Sequence, residues 1–185
     1  MVPFPSGHGD SVRGMSQDSV ERVRPPLVAD ESTMLTAWLD YHRETLAQKV
    51  TGVDPARVRE AAVSPSSLSL LGLVRHMADN ERHWFREVVA GEQVDEYWAP
   101  EDNPGADFSG AHPDGPDADI AEWWRAVAES RAVLEGRSLD ELTAKEFPNG
   151  RMSLRWVVLH MIEEYARHNG HADLLRERLD GVVGE

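Results

Sequence analysis

The sequence predicts an all-α protein, a four-helix bundle with long interhelical connections, and three observations carry that reading. Four separate blocks place apolar residues at helical spacing. No convincing alternating run marks a strand. The last block also interrupts its apolar stripe with a carboxylate and two imidazoles, the way bundles build sites between facing helices.

The elements follow in chain order. Residues 1–29, "MVPFPSGHGDSVRGMSQDSVERVRPPLVA", are rich in Pro, Gly and Ser and show no period. They are expected to form a disordered or draping arm, with Met15 as an internal candidate start, ahead of a bundle domain over 30–185. Asp30 is the expected N-cap of the first helix, whose Leu35, Trp38, Leu39, His42 and Leu46 recur at helical spacing through about residue 49. The connection "TGVDPARVREAAVSPSS" follows, with a candidate short helix after Pro55.

The second helix is expected from near Ser67 to about Ala90, with Gly91 as its stop and a stripe of Leu70, Leu73, Met77, Trp84 and Val88. From Gly91 to about Pro116 runs a long link of acids, glycines and prolines, of a length usually reserved for functional or mobile segments. It is expected either to close over a site or to decorate the surface. The third helix, "DADIAEWWRAVAESRAVLEG", has an acidic first turn and an apolar face of Ile120, Trp124, Val127, Arg131 and Leu134. The fourth begins at Ser153 after "PNG" and continues to about Leu179. Trp38, Trp84, Trp124 and Trp156 are expected in the core, and Arg43 and Arg75 on the solvated surface.

Composition narrows the function. With 33 acidic against 19 basic residues among 185, the formal charge is −14. This argues against nucleic acid and against an anionic membrane surface, which both call for a positive footprint. No apolar run approaches a membrane span and no apolar signal core follows Met1, so a cytoplasmic location is expected. The chain has no cysteine, which removes disulfides, thiolate nucleophiles and Cys-based zinc sites together.

The chemistry concentrates in "EEYARHNGHADLLRE", residues 163–177. A helix advances about 100° per residue, so Val157, Met161, Glu164, His168, His171 and Leu175 fall within about 80° of arc. The polar trio is therefore bracketed by apolar residues and needs partners, because an unpaired buried charge costs several kcal/mol or more. Glu164 and His168, at i and i+4, are near enough to ligate one divalent ion. A third ligand has to come from another helix. His76, in "LVRHMADNERHW", is the best candidate, and His42 is the other inward-facing imidazole. Two histidines and a glutamate around an ion with open positions is a catalytic zinc pattern. The H-E-x-x-H helix motif of metalloproteases is absent.

Two segments, "LLGLVRHMADNERHWFRE" and "HMIEEYARHNGHADLLRERLDG", resemble the DinB-like (damage-inducible) superfamily of metal-binding four-helix bundles, and an actinobacterial subfamily within it. The likeness spans about residues 30–181. It implies a metal held by a histidine of the second helix and an H-x-x-x-H pair of the fourth, carried here by His76, Glu164 and His168. Glu164 stands where many members have histidine, and that His/Glu/His set is similar to the N-terminal domain of mycothiol-dependent maleylpyruvate isomerases. The resemblance also implies a homodimer.

His171 falls where many members have glutamine, which implies a substrate contact or a supporting role instead of ligation. His171 and His42 are therefore candidates for proton transfer or substrate contact. The cofactor expected is a divalent metal, Zn first, with Ni, Fe or Mn as alternatives. Three functional readings stand. One is a metal-dependent transferase or isomerase that joins a low-molecular-weight thiol, such as mycothiol, to a small-molecule electrophile. The others are a metal-dependent hydrolase, and a non-catalytic metal- or ligand-binding stress-response bundle.

Overall fold

A computed structural model describes residues 21–94, 98, 105–109 and 115–184. Its helices are α1 (Glu31–Val50), α2 (Leu70–Glu81), the short α3 (Ala106–Ser109), α4 (Pro116–Leu134) and α5 (Leu154–Asp180). Among the described residues there is no strand, only isolated bridges between Leu142 and Ser153 and between Phe147 and Gly150. The four long helices form the expected all-α bundle.

The helix ends are set by local chemistry. Asp30 accepts a hydrogen bond from the Thr33 N–H at 3.0 Å, and Ser153 accepts one from Trp156 at 3.3 Å. α5 stops at Gly181, whose φ of 80° closes the last turn with its N–H donating to Glu177 O at 2.9 Å. α2 begins slightly later than the sequence predicts, because Ser69 is the residue that caps it, accepting from Gly72 N–H at 3.1 Å. After Pro55 the chain makes turns rather than a helix, with Arg57 and Val58 N–H both donating to Asp54 O.

α2 continues directly into a π-helical segment, Arg82–Val89. Its wider turns shift the register of everything beyond Glu81. The expected stripe placed Trp84 in the core; Phe85 is buried there instead, with Val88 and Val89, and Trp84 packs partly buried against it.

α1 packs chiefly on α5, α2 packs on α4, and α2 and α5 meet along a central seam. Leu39, Leu46, Leu73, Met77, Val157 and Met161 form the heart of the core. α4 is rotated from its predicted face: Trp123, Ala126, Val127 and Ser130 are buried, while Arg131 lies outside, donating to Asp40. The rotation lets the Trp123 indole N–H donate to the Tyr165 hydroxyl at 2.9 Å and puts Asp119 beside Arg75.

Arg43 and Arg75, expected in solvent, are among the most buried side chains. Arg43 forks onto both oxygens of Glu81, at 2.8 and 2.7 Å, and Arg75 pairs with Asp119 at 2.6 Å. Trp38 and Trp156 take the opposite course: at 42% and 46% exposed, they lie on the surface rather than in the core.

Of the N-terminal arm, the described part drapes along α1. The Arg22 guanidinium lies 4.7 Å from the Tyr41 ring centroid, and Val23 N–H donates to Glu44 at 2.8 Å. The expectations for residues 1–20, including Met15, fall outside the described residues. Among the described residues, no helix is long and apolar enough to cross a membrane.

Candidate metal centre

The α2–α5 seam brings His76, Glu164 and His168 together. One ligand atom from each lies within 4.8 Å of the other two. His168 Nε2 and Glu164 Oε2 are 3.4 Å apart, and the rings of His76 and His168 meet edge to face with centroids 4.7 Å apart. Met161 and Leu175 are buried above and below the pair on α5, so the polar residues sit inside the apolar stripe as their spacing predicts.

Each donor has a second contact that turns it. Glu164 gives its other oxygen, Oε1, to Arg167 at 2.8 Å, which leaves Oε2 toward His168. His168 Nδ1 lies 3.3 Å from His171 Nδ1. His76 Nδ1 lies 3.0 Å from Asp107 Oδ2, and its Nε2 lies 3.0 Å from Asn80 Nδ2, whose amide also donates to His76 O. Burial pushes the pKa of His168 down to about 4, helped by neighbouring His76, His171 and Arg167. At neutral pH its imidazole is neutral, the form that offers a lone pair to a metal.

The donor set fits a divalent ion in type and number. Two imidazole nitrogens and one carboxylate oxygen are the three-ligand pattern that leaves a coordination position open. The Glu164–His168 separation of 3.4 Å also matches the spacing of two tetrahedral ligands held at about 2.1 Å from an ion.

The remaining histidines are distributed around this cluster. His171 adjoins it through His168. His42 does not point into it: its ring contacts are Asn169, Trp38 and Tyr41, and Asn169 Nδ2 donates to His42 O at 3.0 Å. Burial lowers the His42 pKa. His83 is on the π-helical segment, paired with Glu87 at 2.9 Å. His160 stacks on Trp156 and meets Trp84 edge to face, and with Glu163 and Glu164 it forms a second, shallower group of potential donors. His112 lies outside the described residues.

A family model described as mycothiol-S-transferase matches residues 34–181. The chain belongs to that family. The match runs from the first turn of α1 to the residue after α5, and so takes in all four long helices and the whole donor cluster. The mycothiol-S-transferase family is a DinB-like family, which agrees with the superfamily resemblance read from the two motifs. No curated protein matches the chain.

Within this mycothiol-S-transferase fold, two neighbours of the cluster escaped the reading of the sequence. Arg167 points away from the core stripe on the helical wheel, yet reaches back to Glu164. Asp107 belongs to a connection with no period to read. The one available signal was an aromatic residue beside it in that acidic link: Phe108, next to Asp107, packs on the His76 ring at 5.6 Å.

Proposed function

We propose that this protein is a metal-dependent thiol S-transferase, with His76, Glu164 and His168 as the ligands of a divalent ion and mycothiol or a similar low-molecular-weight thiol as cosubstrate. The observation that carries the reading is the convergence of those three donors, from two helices, in a chain of the mycothiol-S-transferase family. Zinc is the first choice of metal, as the ion most at home with a two-histidine, one-carboxylate set. When bound, such an ion would lower the pKa of the thiol and so supply a thiolate at neutral pH.

The chain supplies no thiol of its own, having no cysteine, so a thiolate nucleophile must arrive as a substrate. Glu164 balances charge and is oriented by Arg167. With His168 Nε2 turned to the donor cluster, its Nδ1–H donates to His171, which leaves the partly exposed His171 ring between the cluster and solvent. In the transfer, sulfur forms a bond to the electrophilic carbon, and the leaving group departs with its bonding pair. The thiol proton passes to solvent by way of His171. His42, held against Asn169 on the α1 side, acts on packing and not on the reacting atoms.

The test is metal analysis of untagged protein beside His168→Ala, followed by mass spectrometry of mycothiol with model electrophiles. The wild type is expected to hold close to one ion per chain and to form thiol adducts that chelation abolishes. Equal, negligible metal in both proteins would overturn the reading.

A further inference from the structure

The described parts of the long connection between α2 and α4 dock on one stripe of α2. Gly72, His76 and Asp79 recur at i, i+4 and i+7, and each meets a different part of it. The Phe108 side chain stands over Gly72, Asp107 reaches His76, and Trp98 N–H donates to Asp79 Oδ2 at 3.2 Å. Gly72 is required for this approach: a Cβ there would lie 2.6 Å from Phe108 Cδ1 and 3.1 Å from its Cα.

Asp107 is 1% exposed and has both oxygens assigned. Oδ1 accepts from the Phe108 N–H at 3.0 Å and Oδ2 faces His76 Nδ1 at 3.0 Å. It is not among the three residues whose donor atoms converge.

We propose that Asp107 is a positioning residue that fixes the tautomer of His76 and so prepares it for the metal. This rests on the metal reading given above. A carboxylate only accepts hydrogen bonds, so the proton of the neutral ring must sit on Nδ1 and the lone pair on Nε2. That lone pair accepts from the Asn80 amide at 3.0 Å, a contact that an ion at Nε2 would have to displace. The Phe108 ring, inclined 31° to the imidazole, restricts its rotation. Without Asp107 only the Asn80 amide would still favour a lone pair on Nε2, and the ring would spend part of its population with the proton on that nitrogen, the one that has to ligate.

Two measurements on the full chain test this, with Asp107→Ala and Asp107→Asn. The first is the tautomer of His76 in metal-free, 15N-labelled protein, read from long-range 15N–1H spectra and assigned by loss of its signals in His76→Gln. The wild type is expected to show a single Nδ1–H form. Asp107→Ala should show a mixture, and Asp107→Asn, whose amide oxygen can still accept, should retain the wild-type pattern. The second is zinc affinity by chelator competition, which should weaken about 10- to 100-fold in Asp107→Ala and less in Asp107→Asn. An unchanged tautomer in a folded Asp107→Ala protein would overturn the inference. If Asp107→Ala fails to fold, Gly72→Ala, which displaces Phe108 and with it Asp107, takes its place with the same expected mixture. A wild type that binds no zinc would overturn the metal reading, while the tautomer still decides the role of Asp107.

Discussion

The α2–α5 seam holds two buried polar clusters, about one and a half helical turns apart on α2, and they are built on opposite plans. In the first, Glu81 receives two hydrogen bonds from Arg43 and one from Tyr165 at 2.7 Å, and Tyr165 in turn accepts from Trp123. Charge is matched by charge, and Arg43, Glu81, Trp123 and Tyr165 are all buried. Burial beside the Glu81 carboxylate drives the Tyr165 pKa well above its usual value, so its hydroxyl stays a donor.

In the second, the atoms that face one another are all acceptors or potential ligands. Glu164 Oε2, His168 Nε2 and His76 converge, and the cluster borders solvent, with the His76 side chain 29% exposed. A closed polar network specifies a fold, because each member already has its partner. An open set of lone pairs is the arrangement that suits a ligand. α2 and α5 contribute to both, and the closed cluster adds Arg43 from α1 and Trp123 from α4.

This contrast can be broken by experiment. The largest effect is expected at the closed cluster: Glu81→Ala leaves Arg43 buried without its carboxylate and should cost about 3–5 kcal/mol in denaturant unfolding. A cost below about 1 kcal/mol would show that the network is not the structural one. At the open cluster the sign reverses, since stability should rise when zinc is added. At 100 times the dissociation constant the gain is about 2.7 kcal/mol, and Glu164→Gln should remove most of it. A wild type whose unfolding ignores zinc would place both clusters in the structural class.

The smallest expected effect sharpens the same boundary. Gly170 lies between His168 and His171 in sequence but on the outer face of α5, where an added Cβ meets nothing within 4 Å among the described residues. Neither a close helix approach nor room beside the donors calls for a glycine at this position. Gly170→Ala should therefore stabilise by up to about 1 kcal/mol and leave the zinc response as it was. A loss of stability would mean that another molecule covers that face.

The site was half legible in the sequence, and the division follows the range of the interactions. Glu164 and His168 are four residues apart on one helix, so their proximity is local geometry that the text of the chain already contains. His76, on another helix, was the third candidate that its helical face and the family resemblance offered; the crossing of α2 with α5 brings it beside His168, while His42 faces Asn169. The arginines misled because long cationic side chains are usually solvated; what buried Arg43 and Arg75 were carboxylates 38 and 44 residues away. Trp84 and Trp124 misled because a π-helical stretch and a rotated α4 changed the register by one residue.

By itself, then, the sequence determined the helical blocks, the Asp30 cap and the Ser153 start, and the polar interruption of the last stripe by Glu164 and His168, all properties of residues within a turn or two of each other. The tertiary structure alone decided that an acidic connection without periodicity delivers Asp107 to His76 Nδ1, that His42 turns away toward Asn169, and that a second polar cluster closes on itself instead. Those outcomes depend on how separate helices cross and where a long link lands, and neither leaves a periodic trace in the chain.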